Sequence, residues 1–205
     1  MRLKLIPQLT LAGLFLATSL PLSAQVAPAG RVGGPPLVAG GGLSIYNMDW
    51  KQVPSGKATY MEGVTLWVDW NLYRVPHIPP GLGIEAEGQD IDLGQPSGLS
   101  QLHTEAILGG PIYTLRYFRR LYFYGKGLMG LGGIYFPPIG TYSHDTRTIW
   151  AAGGGAEYRA WDSMWVRTDY EYQGWPHLFH PNKSLDPHGM TIGLVYNFGG
   201  IHRRY

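Results

Sequence analysis

Residues Gly189–Phe198 read GMTIGLVYNF, and this stretch decides the fold of the 205-residue chain. Bulky apolar side chains occupy every second position, and the positions between them are small or polar apart from Val195. A period of two sustained over the whole stretch predicts a β-strand with two chemically different faces. At about 3.3 Å per residue, the stretch also has the length of a tilted strand that crosses the hydrocarbon layer of a bilayer.

The end of this strand resembles the terminal signal by which outer-membrane β-barrel proteins are recognised for assembly. That signal has a polar residue, a glycine two positions later, and two apolar or aromatic residues at alternating positions, the last usually aromatic. Thr191, Gly193, Tyr196 and Phe198 supply the pattern here. In the family the aromatic residue normally closes the chain, whereas residues 199–205 follow it here and are interpreted as a C-terminal tail. The resemblance implies the outer-membrane assembly machinery as a partner.

The chain begins with a predicted secretory signal peptide, residues 1–24. Arg2 and Lys4 give a positive start, Leu9–Ala17 forms an apolar core of signal-peptide length, and small residues precede the expected cleavage point after residue 24. Residues 25–36, QVAPAGRVGGPP, predict a flexible spacer because they are rich in glycine, proline and alanine and have no period. We therefore expect an exported protein with one domain after the spacer.

Composition excludes several classes of function. Removing the signal peptide takes two of the 16 lysines and arginines and none of the 14 acidic residues, so the mature chain is close to neutral. The adjacent basic pairs are Arg119-Arg120 and Arg203-Arg204 and neither is part of a longer run of basic residues, so no nucleic-acid partner is predicted. The chain has no cysteine, which excludes disulfides, thiolate metal sites and cysteine nucleophiles. Its 30 glycines and 16 prolines are typical of a β protein with many turns.

Alternation of the same kind predicts eight strands, and an even number favours an all-β, eight-stranded antiparallel up-and-down transmembrane β-barrel over residues 37–198. Gly109-Gly110-Pro111 predicts a bulge in the fourth strand, because Glu105 and Arg116 fall on opposite faces without one. The predicted strands are Leu37–Asp49, Tyr60–Tyr73, Leu82–Ile91, Leu102–Phe118, Leu121–Phe136, Thr148–Trp161, Met164–Trp175 and Gly189–Phe198.

The connections between these strands alternate in length, as in outer-membrane barrels. Turns at one rim cover residues 74–81, 119–120 and 162–163, and longer loops at the other rim cover 51–59, 92–101, 137–147 and 176–188.

Alternation alone does not say which face lies inside, and a soluble lipocalin-like barrel would enclose the apolar face. Charges of both signs on the polar face favour the opposite orientation, because they can pair across a narrow lumen. Aromatic residues near the strand ends are typical of the two interfaces of a bilayer. The predicted lumen network is Asp69, Glu85, Glu87, Arg116, Lys126, Glu157, Arg159, Arg167, Asp169 and Glu171. The predicted interface aromatics are Trp50, Trp70, Tyr73, Trp161, Trp165 and Trp175.

The predicted barrel resembles the small OmpA/OmpX-type, porin-like family. The resemblance implies a non-catalytic protein of a Gram-negative-type outer membrane, in contact with outer-membrane lipids and without a cofactor. It would contribute to envelope integrity or to surface-loop contacts with a ligand that the sequence does not identify. The candidate contact residues are Trp50, Tyr142, Trp175, Phe179 and His180.

Two other functions stay open for a barrel of this size. The first is a narrow ion or small-solute channel, although eight strands leave a lumen that side chains can fill. The second is a lipid A-modifying enzyme, but the His-x-Ser spacing that such a deacylase resembles does not occur in this chain. Histidines gather at the long-loop rim without a spacing that fixes a ligand geometry, so we predict no metal site.

Overall fold

The structure is a computed structural model that describes residues 37–48, 60–72, 75–93, 103–139, 142–177 and 184–198. Eight antiparallel strands follow one another around a closed barrel, which confirms the predicted fold class. No helix among the described residues has the length and hydropathy to cross a membrane. The strands are β1 (Leu37–Asn47), β2 (Tyr60–Asn71), β3 (Leu82–Leu93), β4 (His103–Arg116), β5 (Leu121–Ile139), β6 (Tyr142–Arg159), β7 (Met164–Gly174) and β8 (His188–Asn197).

The strands are staggered as they go round the barrel. Leu37 pairs with Trp70 on β2, and the same register continues strand by strand to His188, which pairs with Asn47. One circuit therefore returns to β1 ten residues further along. A shear of this size tilts the strands and leaves an interior that side chains can fill.

The polar faces of the strands point into the barrel. Along β2, buried residues such as Thr65 and Asp69 alternate with exposed Leu66 and Val68. The predicted orientation is thus confirmed, with apolar side chains outside where lipid would cover them. Large exposed apolar side chains occur on every strand and include Leu43, Val68, Ile84, Ile107, Met129, Trp150, Tyr170 and Leu194.

Two predictions about the strands are wrong. The pairing of β4 with β3 and β5 keeps one register through Gly109 and Ile112, so there is no bulge there. Glu105 instead points outward near the rim, where His103 Nε2 lies 2.8 Å from its Oε1. The predicted loop 137–147 is largely strand, because β5 and β6 continue as a paired hairpin to Ile139 and Tyr142 with a register shift after Tyr135.

Candidate functional site

The lumen holds a layer of buried charged residues that is built from five strands. Eight of the ten residues predicted for the lumen network meet in this layer. They are Asp69 on β2, Glu85 and Glu87 on β3, Lys126 on β5, Glu157 on β6, and Arg167, Asp169 and Glu171 on β7.

Arg167 is the centre of one half of this charged layer. Its Nη2 donates to Glu85 Oε2 at 2.6 Å and to Asp169 Oδ2 at 3.1 Å, and its Nη1 donates to Asp69 Oδ2 at 3.2 Å. Its Nε donates to the Tyr124 hydroxyl at 2.8 Å, and that hydroxyl donates to Asp169 Oδ2 at 2.7 Å. Such a buried guanidinium is held by several charge-assisted hydrogen bonds at once.

Aromatic rings complete the surroundings of this guanidinium. The Arg167 Cζ atom lies 4.2 Å from the ring centre of Tyr124 and 4.8 Å from that of Trp67. Rings at these distances attract the cation through their quadrupoles. A fourth carboxylate, Glu157, has its Oε1 3.9 Å from Arg167 Nη1.

Lys126 is the centre of the other half. Its Nζ lies 2.7 Å from Glu171 Oε2, 3.0 Å from Asp169 Oδ2 and 3.3 Å from Glu85 Oε1, and it also donates to Glu87. Glu85 and Asp169 contact both Lys126 and Arg167 and so join the two halves into one network.

The two remaining arginines of the predicted network lie at the edge of the lumen, outside the buried layer, so this part of the prediction is wrong. Arg116 is exposed, and Arg159 is half-buried. Both have inward parity, but each is the last residue of its strand at the short-turn rim. Distance along the strand, rather than the face, keeps these two guanidiniums out of the layer.

Uncharged polar side chains extend the network towards the long loops. Gln89 Nε2 donates to the Tyr46 hydroxyl and to Glu171 Oε1, each at 2.9 Å. Gln173 Nε2 donates to Gln89 Oε1 at 2.7 Å, and Trp175 Nε1 donates to Gln173 Oε1 at 2.8 Å. Sequence reasoning missed Tyr46 and Tyr124 as parts of the lumen, although their inward parity is readable from the alternation of β1 and β5.

A group of hydroxyls lines the side of the lumen where the barrel closes. The Ser44 Oγ atom lies 2.6 Å from Thr65 Oγ1 and 2.8 Å from Thr191 Oγ1. Because each hydroxyl can donate and accept, the three buried groups satisfy one another.

Among the described residues, an apolar cluster lies towards each end of the lumen. Trp165, which is 4% exposed, packs in the short-turn cluster with Val38, Trp67, Tyr122 and Val195. Trp175, which is 2% exposed, packs in the long-loop cluster, whose other members are Tyr46, Met48, Met61, Ile91, Ala106, Leu108, Leu128, Ile134, Ile149, Ala151 and Leu185. The charged layer thus lies between two apolar ones.

This packing corrects part of the predicted aromatic interface. Trp165 and Trp175 stand at inward positions of β7 and just beyond it, so they fill the lumen and do not face lipid. Trp70 and Trp161 are 56% and 65% exposed, as an interface position requires. Trp50 and Tyr73 lie outside the described residues, and so do the predicted signal peptide, spacer and C-terminal tail.

The four residues of the predicted assembly signal lie on both faces of β8. Tyr196 and Phe198 point outward, and their rings meet edge to face with centres 4.9 Å apart. Thr191 points into the lumen, and Gly193 pairs with Gly42 on β1.

One group of possible metal ligands lies on the outer face near the long-loop rim. Ligand atoms of Asp90, Asp92 and His103 lie within 4.8 Å of one another, and both carboxylates are exposed. His103 already contacts Asp90 Oδ1 at 3.4 Å and Glu105 Oε1 at 2.8 Å. Exposed acidic groups are screened by solvent and are common without an ion, so this arrangement does not call for a metal.

Comparisons with known proteins agree with this architecture. A family model described as outer membrane protein beta-barrel domain matches residues 12–198. Neisserial surface protein A (NspA) is a similar solved structure, with 11% sequence identity, a TM-score of 0.63, and coverage of 81% of this chain and 99% of that one. Ail, the attachment invasion locus protein of Yersinia pestis, has 18% identity and a TM-score of 0.51, with coverage of 80% and 97%. No curated protein sequence matches the chain.

Proposed function

This chain belongs to the outer membrane protein beta-barrel domain family, and we propose that it is a non-catalytic, closed barrel that acts through its surface. It is an integral outer-membrane protein, which the N-terminal signal peptide would deliver to the envelope. Its role would be to support envelope integrity or to make contacts at the long-loop rim.

The observation that carries this proposal is the filling of the lumen. Charged side chains occupy the middle layer, and an apolar cluster lies towards each end. A conducting barrel needs an open polar path, whereas the polar side chains described in this lumen are buried against one another and Trp165 and Trp175 pack towards its two ends. Eight strands also give a lumen of the size that side chains fill completely.

The hairpin formed by β5 and β6 supports a role for the surface. On β6 the pairing with β7 begins at Trp150, whereas the pairing with β5 continues to Tyr142. This part of the hairpin therefore extends beyond its neighbours at the long-loop rim, the rim that faces outward in proteins of this architecture. Arg147 and His144 are exposed on it.

Recordings in planar bilayers test whether the lumen is closed. The purified, refolded barrel should give no stable single-channel steps, and a boiled sample and detergent alone serve as controls. Stable steps that disappear in Arg167→Ala or Glu171→Ala would show a path through the charged layer and would refute the proposal.

Two further measurements test the absence of catalysis and the export. The mass spectrum of lipid A should be the same in cells with and without the gene, and a difference would indicate an enzyme. N-terminal sequencing of the protein from outer membranes should begin at Gln25, and a start at Met1 would refute the signal peptide.

A further inference from the structure

Four arginines outside the charged layer gather at the short-turn rim. Arg116 ends β4, Arg119 and Arg120 lie in the turn to β5, and Arg159 ends β6. Arg159 is half-buried, and the other three side chains are exposed. Asp162 is the one acidic side chain in those parts of the short turns that the structure describes. This rim therefore carries a surplus of positive charge.

The opposite rim carries the reverse charge. Near the long-loop ends of the strands, the described residues include one arginine, Arg147, and six acidic residues, Glu62, Asp90, Asp92, Glu105, Asp145 and Asp186. The Nε atom of Arg147 also lies 3.1 Å from Asp145 Oδ1, so its charge is balanced locally. The positive charge of the short-turn rim is thus a local feature and not a consequence of the overall composition.

Two of the arginines at the short-turn rim lie directly beside each other. Leu121 on β5 pairs with Tyr158 on β6, and one step further Arg159 N donates to Arg120 O at 2.8 Å. Like charges that face each other across a strand pair repel. Within the part of the chain that the structure describes, no carboxylate forms an ion pair with Arg119, Arg120 or Arg159. These arginines therefore lack a counter-charge from the described residues of the barrel.

Aromatic side chains show the level at which these arginines stand. Tyr117, Phe118, Tyr158 and Trp161 lie at the same rim, and all four are exposed. Exposed aromatic residues at a barrel rim mark the level of the lipid headgroups. In barrels of this architecture the short turns face the periplasm, so the arginines stand beside the headgroups of the periplasmic leaflet.

We propose that Arg119 and Arg120 bind the headgroup phosphate of an anionic phospholipid in the periplasmic leaflet. A guanidinium offers paired N–H donors that match two oxygens of one phosphate. Arg159 lies next to Arg120, so its positive charge strengthens the attraction, and the bound anion offsets the repulsion between the two. The acyl chains of the lipid would cover the outward face of this part of the barrel, where Phe123 and Tyr158 are exposed.

Quenching of tryptophan fluorescence by brominated lipids tests the proposal. The barrel is refolded into vesicles of one fixed mixture of phosphatidylcholine and phosphatidylglycerol, in which an equal amount of one lipid or the other carries the bromine. Exposed Trp161 follows Arg159 by two residues and reports the lipid beside the arginines. Phosphatidylglycerol should bind there at least about fivefold more strongly than phosphatidylcholine. Equal quenching by the two brominated lipids would overturn the proposal.

Removal of single tryptophans locates the bound lipid. Trp70 is also exposed, but it lies on β2, four strands from β6 in either direction around the barrel. Trp161→Phe should therefore remove most of the additional quenching by brominated phosphatidylglycerol, whereas Trp70→Phe should keep it. Additional quenching that survives in Trp161→Phe would place the lipid elsewhere and overturn the assignment.

An arginine variant tests the residues. The double variant Arg119→Gln, Arg120→Gln should lose most of the preference for phosphatidylglycerol, and the gel shift on boiling checks that it is folded. Arg147→Gln is the matched control, because it removes an exposed arginine from the opposite rim and should keep the full preference. An unchanged preference in the folded double variant would overturn the proposal.

Inorganic phosphate distinguishes a lipid from a free anion. It should lower the preference no more than NaCl does at equal ionic strength, because free phosphate has no acyl chains to hold it at the membrane. Loss of the preference in phosphate alone would indicate a site for a free anion and would overturn the assignment to lipid. None of these measurements depends on whether the lumen conducts, so this proposal and the closed-lumen proposal can fail separately.

Discussion

Arg167 on β7 and Glu85 on β3 meet across the lumen, with Nη2 and Oε2 2.6 Å apart. Four strand-to-strand steps separate β3 from β7 in either direction around a barrel of eight, so the two residues start from opposite walls. Their ion pair therefore joins opposite walls of the barrel across the lumen.

Replacing Arg167, the cation of this ion pair, should strongly destabilise the folded barrel. Arg167→Ala leaves the surrounding carboxylates without their main counter-charge, and we expect a loss of about 3–5 kcal/mol in the free energy of unfolding. Urea unfolding in lipid vesicles measures it. Arg147→Ala is the control, since Arg147 pairs with Asp145 at the exposed rim and should cost less than about 1 kcal/mol. Similar losses for both variants would contradict the central role of Arg167.

An added methyl group should lower the stability at one glycine, Gly40, and leave it almost unchanged at another, Gly127. A Cβ on Gly40, which faces the lumen, would lie 2.6 Å from Leu194 O and 2.7 Å from the Trp67 ring. Gly40→Ala should therefore cost about 1–3 kcal/mol. A Cβ on the outward-facing Gly127 would meet nothing within 4 Å, so Gly127→Ala should change stability by less than about 0.5 kcal/mol. The same urea titration measures the free energy of unfolding of both variants. An equal loss in both would show that the close approach of the new Cβ to Trp67 does not destabilise the barrel.

Two tryptophans of the predicted interface set should now behave differently. Trp165 fills the lumen, so Trp165→Ala should cost about 3–5 kcal/mol, whereas the exposed Trp161 should matter less. Brominated lipids check the placement: Trp161→Phe should lower the quenched fraction of tryptophan fluorescence, and Trp165→Phe should raise it. Quenching of Trp165 by the lipid would contradict its place in the lumen.

A charge on the outer face should cost most near the middle of the membrane. Ile192 lies midway along the outward face of β8 and is 59% exposed, so Ile192→Arg should lose about 2–4 kcal/mol. Met164 begins β7 at the short-turn rim, and Met164→Arg should cost at most about 1 kcal/mol. Equal costs at the two depths, measured in the same vesicles, would argue against this immersion depth.

The predicted assembly signal can be tested in cells. Phe198→Ala should reduce the amount of heat-modifiable barrel in outer-membrane fractions several-fold, because it removes the last aromatic residue of the pattern. Tyr158→Ala is matched to it, since Tyr158 is a similarly exposed aromatic residue at the same rim. If both variants reach the membrane equally well, Phe198 does not act as a signal.

The sequence predicted the strands and their faces because a period of two ties each side chain to one side of the sheet. On that basis Glu85, Glu87, Arg167 and Asp169 are assigned to one shared face, and the mixed signs of their charges place that face inside. The alternation does not indicate how deep a residue lies along its strand, so it predicts Arg116 in the lumen, whereas Arg116 lies at the edge of the lumen. Trp165 and Trp175 lie near strand ends, as interface aromatics do, but their inward parity buries them in the lumen.

The partners within the lumen could not be predicted from the pattern. Whether Lys126 reaches Glu87 or Asp169 depends on the stagger between strands that are distant in sequence. That stagger is determined only by the register of all strand pairs around the closed barrel. The sequence also does not predict the length of the β5–β6 hairpin, because the prolines and polar residues of 137–147 are typical of a loop. The shift in pairing after Tyr135 takes up the proline-containing segment, and the polar residues suit a ribbon surrounded by water.

The pairing of β1 with β8 has a consequence for biogenesis. Every other pairing joins consecutive strands and can form as soon as a hairpin has been made, but this one brings together the first and last strands, as in the bond from Phe198 N to Leu37 O. Until that bond forms, the polypeptide is a sheet with two unprotected margins, either of which can capture a strand from a neighbouring molecule. The slow event on the way to the native protein is therefore expected to be ring closure at this seam, and the cell must keep nascent copies apart until it is complete.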